Sequence, residues 1–205
     1  MSRSTPHMPF PSMMSDEAET PQGPMPRPVE KHYFDSRIVM LTGEVTHALA
    51  ERVCVNLYAL AQASHDPITM IISSPGGHVE SGDMIHDTIK FIKPRVRVLG
   101  SGWVASAGAL VYIAADKKDR YVLPNTRFLL HAPSGGVGGK VTDISIQAHE
   151  IMLMRDRLNK LFSEATGQTV AKITKDTDRD FWLSAQEAID YGLATHIITS
   201  MAELK

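Results

Sequence analysis

Three residues in this chain are of types that together perform acyl transfer: Ser106 in GWVASAGA, His131 in RFLLHAPSGG and Asp180 in DRDFWLS. A hydroxyl becomes an effective nucleophile when an imidazole takes its proton, and a carboxylate keeps that imidazole in the right tautomer. A fourth piece, SPGG at 74–77, follows an apolar run and supplies two glycines whose bare N–H groups can face a cleft. Each piece also has a plainer reading. Ser106 stands at the start of a helical pattern and, on local evidence, reads first as a simple N-cap. It is not in a G-x-S-x-G elbow, since Val104 lies two positions before it. Its neighbours Ala105, Ala107 and Gly108 still allow a substrate backbone to approach, and free N–H groups at a helix start suit an oxyanion. Most Pro-Gly pairs are simple turns. His131 reads also as a rim histidine at a strand end, and Asp180 as a surface acid before a capped helix. Taken singly, the residues leave these alternatives open.

The elements that must position them follow from hydrophobic periodicity and caps. IVML, from Ile38, predicts a short strand, and Thr46 predicts the N-cap of a helix running to about Ala63. ITMIIS (Ile68 to Ser73) is a continuous apolar run, as in a parallel strand buried on both faces. A helix near Ser81 to Ile92 and the strand RVRVLG follow SPGG. Val98 to Ala115 carries no charge, but its glycines and serines divide it into a strand, a turn and a short helix rather than a membrane span. RFLLH is a strand ending at His131. The loop APSGGVGGK leads to an amphipathic helix over Thr142 to Ala165, stopped by Gly167. A short helix is expected near Thr169. LSAQEAIDYG predicts another, with a capping box of Ser184 and Glu187 and a stop at Gly192. HIIT closes the chain as a strand. Strands alternating with helices imply an α/β domain, whose active-site loops gather where strands end.

Composition excludes several classes. The 205 residues are 43% apolar and 21% charged, ordinary for a globular chain, and the formal charge of −2 gives no reason to expect a nucleic-acid partner. The single cysteine, Cys54, forbids an internal disulfide and reads as a small buried apolar residue. None of the nine histidines stands in an HExxH or comparable spacing, so no metal and no cofactor are assigned. Residues 1–28 hold seven of twelve prolines and five of eleven methionines, and predict a flexible tail before a folded domain over 29–205. That tail has no apolar signal region, and Asp16, Glu17 and Glu19 argue against a transit peptide, so a cytoplasmic protein away from membranes is expected.

Together the pieces match a family. GxxASAGA, LPNTRFLLHAPSGG, SPGG and DRDFWLSAQEAIDYGL resemble, in order and spacing, the proteolytic subunits of the Clp protease, from about Ile38 to Ile198. The resemblance implies a serine endopeptidase with Ser106 as nucleophile, His131 as general base and Asp180 orienting the imidazole. It implies an oxyanion hole from the N–H groups of Gly77 and Ala107. The fold implied is the α/β fold shared with the crotonases, with a protruding handle made of the long helix and the glycine-rich strand before it. Seven subunits would form a ring, and two rings a tetradecamer through the handles, with Asp178 and Arg179 in ion pairs between rings. An AAA+ ATPase would unfold protein substrates and thread them in, using ATP that this chain does not itself bind.

Two departures from the pattern stand out. VEKHYFDSRIVML leads directly into the first strand, with no room for the short helix that touches the ATPase in the family. Thr69 and Ile71 occupy positions where the docking cleft commonly has aromatics, while Phe91 keeps an apolar contact. Lost aromatic anchors weaken docking, which suggests a specialised second paralogue that shares mixed rings with another subunit. Two alternatives accompany this reading: a mainly structural or regulatory subunit of such a ring, and a crotonase-type acyl-CoA hydratase or isomerase, whose fold shares glycine oxyanion holes.

Overall fold

A helix, α1 (Arg27–Asp35), precedes β1 (Ile38–Thr42) in the computed structural model, which describes residues 27–133 and 138–205. This corrects the expectation that no helix fits before the first strand. Nine residues are too few for an apolar stripe to stand out, yet Tyr33 is half-buried, and Lys31 pairs with Asp35 one turn on at 2.5 Å. The helix also starts inside the stretch read as tail; residues 1–26 lie outside the described residues. Arg37 turns the chain into β1 at φ 55, and its guanidinium donates to the carbonyls of Leu60, Ser64 and Asp66 at the end of α2 (His47–Ala63). Those bonds help hold a left-handed backbone that a non-glycine residue otherwise avoids.

The remaining order is β2 (Ile68–Ser74), α3 (Val79–Phe91), β3 (Val96–Ala105), α4 (Ala107–Tyr112), β4 (Arg120–Val122), β5 (Arg127–Leu130), α5 (Val141–Thr166), α6 (Val170–Asp176), β6 (Phe181–Ser184), α7 (Ala185–Tyr191) and β7 (His196–Ile197). The sheet runs β1-β2-β3-β4-β7 in parallel. β3 is long enough to serve two neighbours. Its first half pairs with β4, and Trp103–Ala105 pairs in parallel with Arg127–Leu129 of β5. β6 then returns antiparallel beside β5, ending the ladder on the pair Leu130 and Phe181. The result is the expected α/β class.

Ile68, Met70 and Ile72 of β2 are fully buried in one cluster with Leu57 and Leu60 of α2, Ile85 of α3 and Leu110 and Tyr112 of α4. Each such side chain stabilises the fold by about 1.5–3 kcal/mol relative to exposure. The expectation that β2 is buried on both faces holds for one of them. On the other, Thr69 is buried but Ile71 and Ser73 are only half-buried, beside a smaller cluster of Leu99, Tyr121 and Ile198 on which Leu204 packs.

Among the described residues, α5 packs by its C-terminal half alone. Residues 141–150 are exposed all round, whereas Leu158 and Phe162 are buried, and Gly167 at φ 81 ends the helix. Of the glycine-rich stretch expected to form the handle strand, residues 134–137 lie outside the described residues, and 138–140 form no strand.

Candidate active site

Strand register brings the chemistry-bearing residues together. Ser74 of β2 pairs with Val104 of β3, Ala105 pairs with Leu129 of β5, and Leu130 pairs with Phe181 of β6. Gly76, Ser106 and His131 therefore all follow the C-terminal ends of adjacent parallel strands, and Asp180 lies just before the strand that returns beside them. This is the end of an open α/β sheet where ligands bind.

Ser106 sits at φ 52, ψ −119 in a sharp turn between β3 and α4. Its N–H donates to the Leu129 carbonyl at 2.9 Å, and its own carbonyl accepts from Ala109 and Leu110, opening the helix. The hydroxyl does not act as a cap: it makes no capping bond and, among the described residues, no hydrogen bond at all. A backbone strained at a non-glycine residue is expensive, of order 1–3 kcal/mol, and such strain concentrates at functional positions. The turn thus does what a nucleophile elbow does without the glycines of that motif. The sequence shows no sign of it.

What makes room is glycine on the neighbouring segment. Gly76, at φ +95, lies so close that a Cβ there would stand 2.5 Å from Ser106 Cβ and 2.8 Å from the Ala105 carbonyl oxygen. Gly108 presses α4 onto the end of β2, where a Cβ would meet Ser74 Cβ at 3.1 Å. Ser74 in turn braces the loop: its hydroxyl donates to the Gly43 carbonyl at 2.7 Å and accepts from Gly76 N–H at 3.1 Å.

Gly77, at φ +144, bridges in parallel to Val45. The two bonds of that bridge use the Gly76 carbonyl and the His78 N–H, and leave the Gly77 N–H out. Gly77 is exposed. Ala107 is the first residue of α4, where backbone N–H groups have no intrahelical acceptor. Ala107 lines the same cleft as Ser106, and Gly77 follows the Gly76 that packs on it; backbone donors of this kind suit developing negative charge on an oxygen.

His131 Nδ1 lies 3.3 Å from Asp180 Oδ1. The imidazole is half-buried and the carboxylate 65% exposed. With Nδ1 directed to the acid, Nε2 is the ring nitrogen left for another partner. No hydrogen bond joins Ser106 to His131, although both line one cleft; catalytic bonds of this kind are often long in a free enzyme and tighten with substrate. The cleft has a cavity volume of about 20 Å³ and an apolar wall of Val79, Leu110, Leu130, Leu158 and Phe162. Leu158 and Phe162 come from α5 and were not singled out in the sequence; their i, i+4 spacing on a polar helix was the available signal.

Asp178 and Arg179 are exposed on the same segment as Asp180 and enter no ion pair among the described residues. Thr69 is buried against a separate cavity of about 500 Å³, lined also by Tyr33, Arg97 and Leu204, and Phe91 is 80% exposed. Among the described residues no cluster of His, Cys, Asp or Glu could hold a metal ion, and no helix is long and apolar enough to cross a membrane.

Comparison with known proteins gives consistent matches. The family model described as Clp protease matches residues 27–201. The ATP-dependent Clp protease proteolytic subunit 3 of Rhizobium meliloti (strain 1021) is 59% identical over 181 residues, covering 88% of this chain and 93% of that protein. The ATP-dependent Clp protease proteolytic subunit of Paracoccus denitrificans is 62% identical over 167 residues, covering 82% and 84%. Among solved structures, ClpP1 from Listeria monocytogenes superposes with a TM-score of 0.79 at 51% identity, covering 86% of this chain and 99% of that one.

Proposed function

The chain belongs to the Clp protease family, and from that premise we propose that it is an active serine endopeptidase with Ser106, His131 and Asp180 as its catalytic triad. The observation that carries this reading is the strained Ser106, whose hydroxyl caps nothing and shares a cleft with a histidine paired to an acid.

In the reaction, Ser106 Oγ attacks the scissile carbonyl while His131 Nε2 takes its proton. Asp180 holds the imidazole tautomer and stabilises its cation. The carbonyl oxygen becomes an oxyanion and accepts from Gly77 and Ala107 N–H. Collapse of the intermediate breaks the C–N bond, and His131 returns the proton to the leaving amine. Water then repeats the sequence on the acyl-enzyme and releases the acid. No cofactor or metal enters these steps.

The assembly proposed is a heptameric ring, paired into a tetradecamer that encloses the sites. Two features support it. The outer half of α5 exposes Val141, Ile144, Ile146, Met152 and Leu153, more apolar surface than a solvated helix needs, and Asp178 and Arg179, exposed and in no ion pair among the described residues, could pair across rings. An AAA+ ATPase would deliver protein substrates in the cytoplasm. Thr69 and Ile71 lack aromatic surface, which favours docking through a paralogue in a mixed ring; α1 removes the other argument for weakened docking.

A mainly structural subunit is the second reading, favoured by the missing bond between Ser106 and His131. The coenzyme A alternative finds no support among the relatives above. The test is peptide hydrolysis: Ser106→Ala should lower kcat by about 10⁶. Activity retained by that variant would contradict the triad, and an inert wild-type protein would favour the structural subunit.

A further inference from the structure

The segment that carries Asp180 has an anchor remote from the reacting groups. Asp176, the last residue of α6, accepts a hydrogen bond from the Tyr191 hydroxyl at the end of α7, at 2.7 Å. It also pairs with Lys172 at 2.5 Å, and the Lys172 ammonium lies 4.9 Å from the centre of the Tyr191 ring. The same ring packs on Phe181 with centroids 5.2 Å apart. One residue further on, the Thr177 carbonyl accepts from Ala132 N–H at 2.8 Å, directly beside His131.

The chain from Asp176 to Asp180 is therefore tied at its start to α7 and at its end to the β5–β6 ladder. Asp180 cannot hold its own position. Its carboxylate is mostly exposed, and its sole hydrogen bond among the described residues is the 3.3 Å contact with His131. Its aim must come from the path of the backbone before it.

We propose that Tyr191 and Asp176 form a positioning pair, whose mutual hydrogen bond sets the path of residues 177–180 and so aims Asp180 at His131 Nδ1. The inference rests on the triad reading above. The donor and acceptor roles in the pair are well defined. Burial opposes a charge on Asp176, but the bonds from Lys172 and Tyr191 outweigh it and hold the carboxyl below its usual range. Burial and the neighbouring carboxylate push the Tyr191 hydroxyl up, so it stays a donor.

Tyr191→Phe tests this with little disturbance, since it keeps the ring on Phe181 and removes one oxygen; Asp176→Asn tests the same bond from the other side. The readout is the labelling of Ser106 by a fluorophosphonate, resolved into a binding constant and a maximal rate constant, on protein purified at the wild-type assembly mass. Each variant should lower the maximal rate constant roughly ten- to a hundredfold, the size expected from a small misplacement of a catalytic group, with the binding constant unchanged. The double variant should be no slower than the slower single one. A wild-type rate constant in either variant overturns the proposal. So does a smaller labelled fraction at an unchanged rate constant, which is what a merely structural bond would produce. A wild-type protein that does not label overturns the triad reading itself, an outcome distinct from labelled variants of normal rate.

Discussion

His131 and Asp180 face each other one step beyond the last pair of the β5–β6 ladder, with Nδ1 and Oδ1 3.3 Å apart. The contact depends on register, because a slip of one residue in either strand would turn one of the two side chains to the opposite face of the sheet.

The first prediction tests this contact. Asp180→Asn keeps the shape but lets the amide favour the wrong imidazole tautomer, so kcat should fall by about 10⁴. A change of less than tenfold would show that the acid is not orienting the base.

Gly76 offers a second test. An alanine there must adopt φ +95, which costs of order 1–3 kcal/mol, and its Cβ meets Ser106 Cβ and the Ala105 carbonyl well inside contact distance. Gly76→Ala should lower the melting temperature and slow acylation of Ser106 sharply. Wild-type values of both would mean that the two segments are not in contact.

Assembly depends on charges next to the acid. If Asp178 and Arg179 pair between rings, Asp178→Ala and Arg179→Ala should reduce the double ring to smaller species and lower activity while each subunit stays folded. Sedimentation velocity decides it; an unchanged mass and full activity in both variants would contradict the idea.

The Asp176 carboxyl predicts a pH dependence of stability. Burial works against its ionisation, while Lys172 and Tyr191, with the nearby charge of Lys175, hold it below its ordinary range. A group depressed in the folded state contributes stability that is fully present above the unfolded value, about 3.9, and lost as pH falls through the folded one. The stability difference between wild type and Asp176→Asn, from urea unfolding, should be constant near neutrality and shrink below about pH 4. A difference independent of pH down to strongly acid conditions would contradict this account.

Local signals made much of the fold legible. Thr46 caps α2 by accepting from Leu49, Ser184 and Glu187 form the expected capping box, and Gly167 and Gly192 end their helices in the left-handed conformation. Each is decided within a few residues of chain. β4 and β6, three and four residues long, were not legible, because their pairing with β3 and β5 is a long-range choice. α1 was missed because it is short and largely polar. At the site, Ser106, His131 and Asp180 each had an ordinary local explanation, and they came together through the family pattern rather than through any one residue. The strain at Ser106 and the walls supplied by Leu158 and Phe162 depend on packing between distant segments.

The proposed chemistry depends on Ser106 being an activated nucleophile. Its most direct test is to treat the purified chain with a fluorophosphonate and map the modified residue by peptide mass spectrometry. One label per reactive subunit is expected, on the Ser106 side chain, abolished by Ser106→Ala and strongly slowed by replacement of His131. An unlabelled protein, a label on another residue, or a label that persists in Ser106→Ala would contradict it.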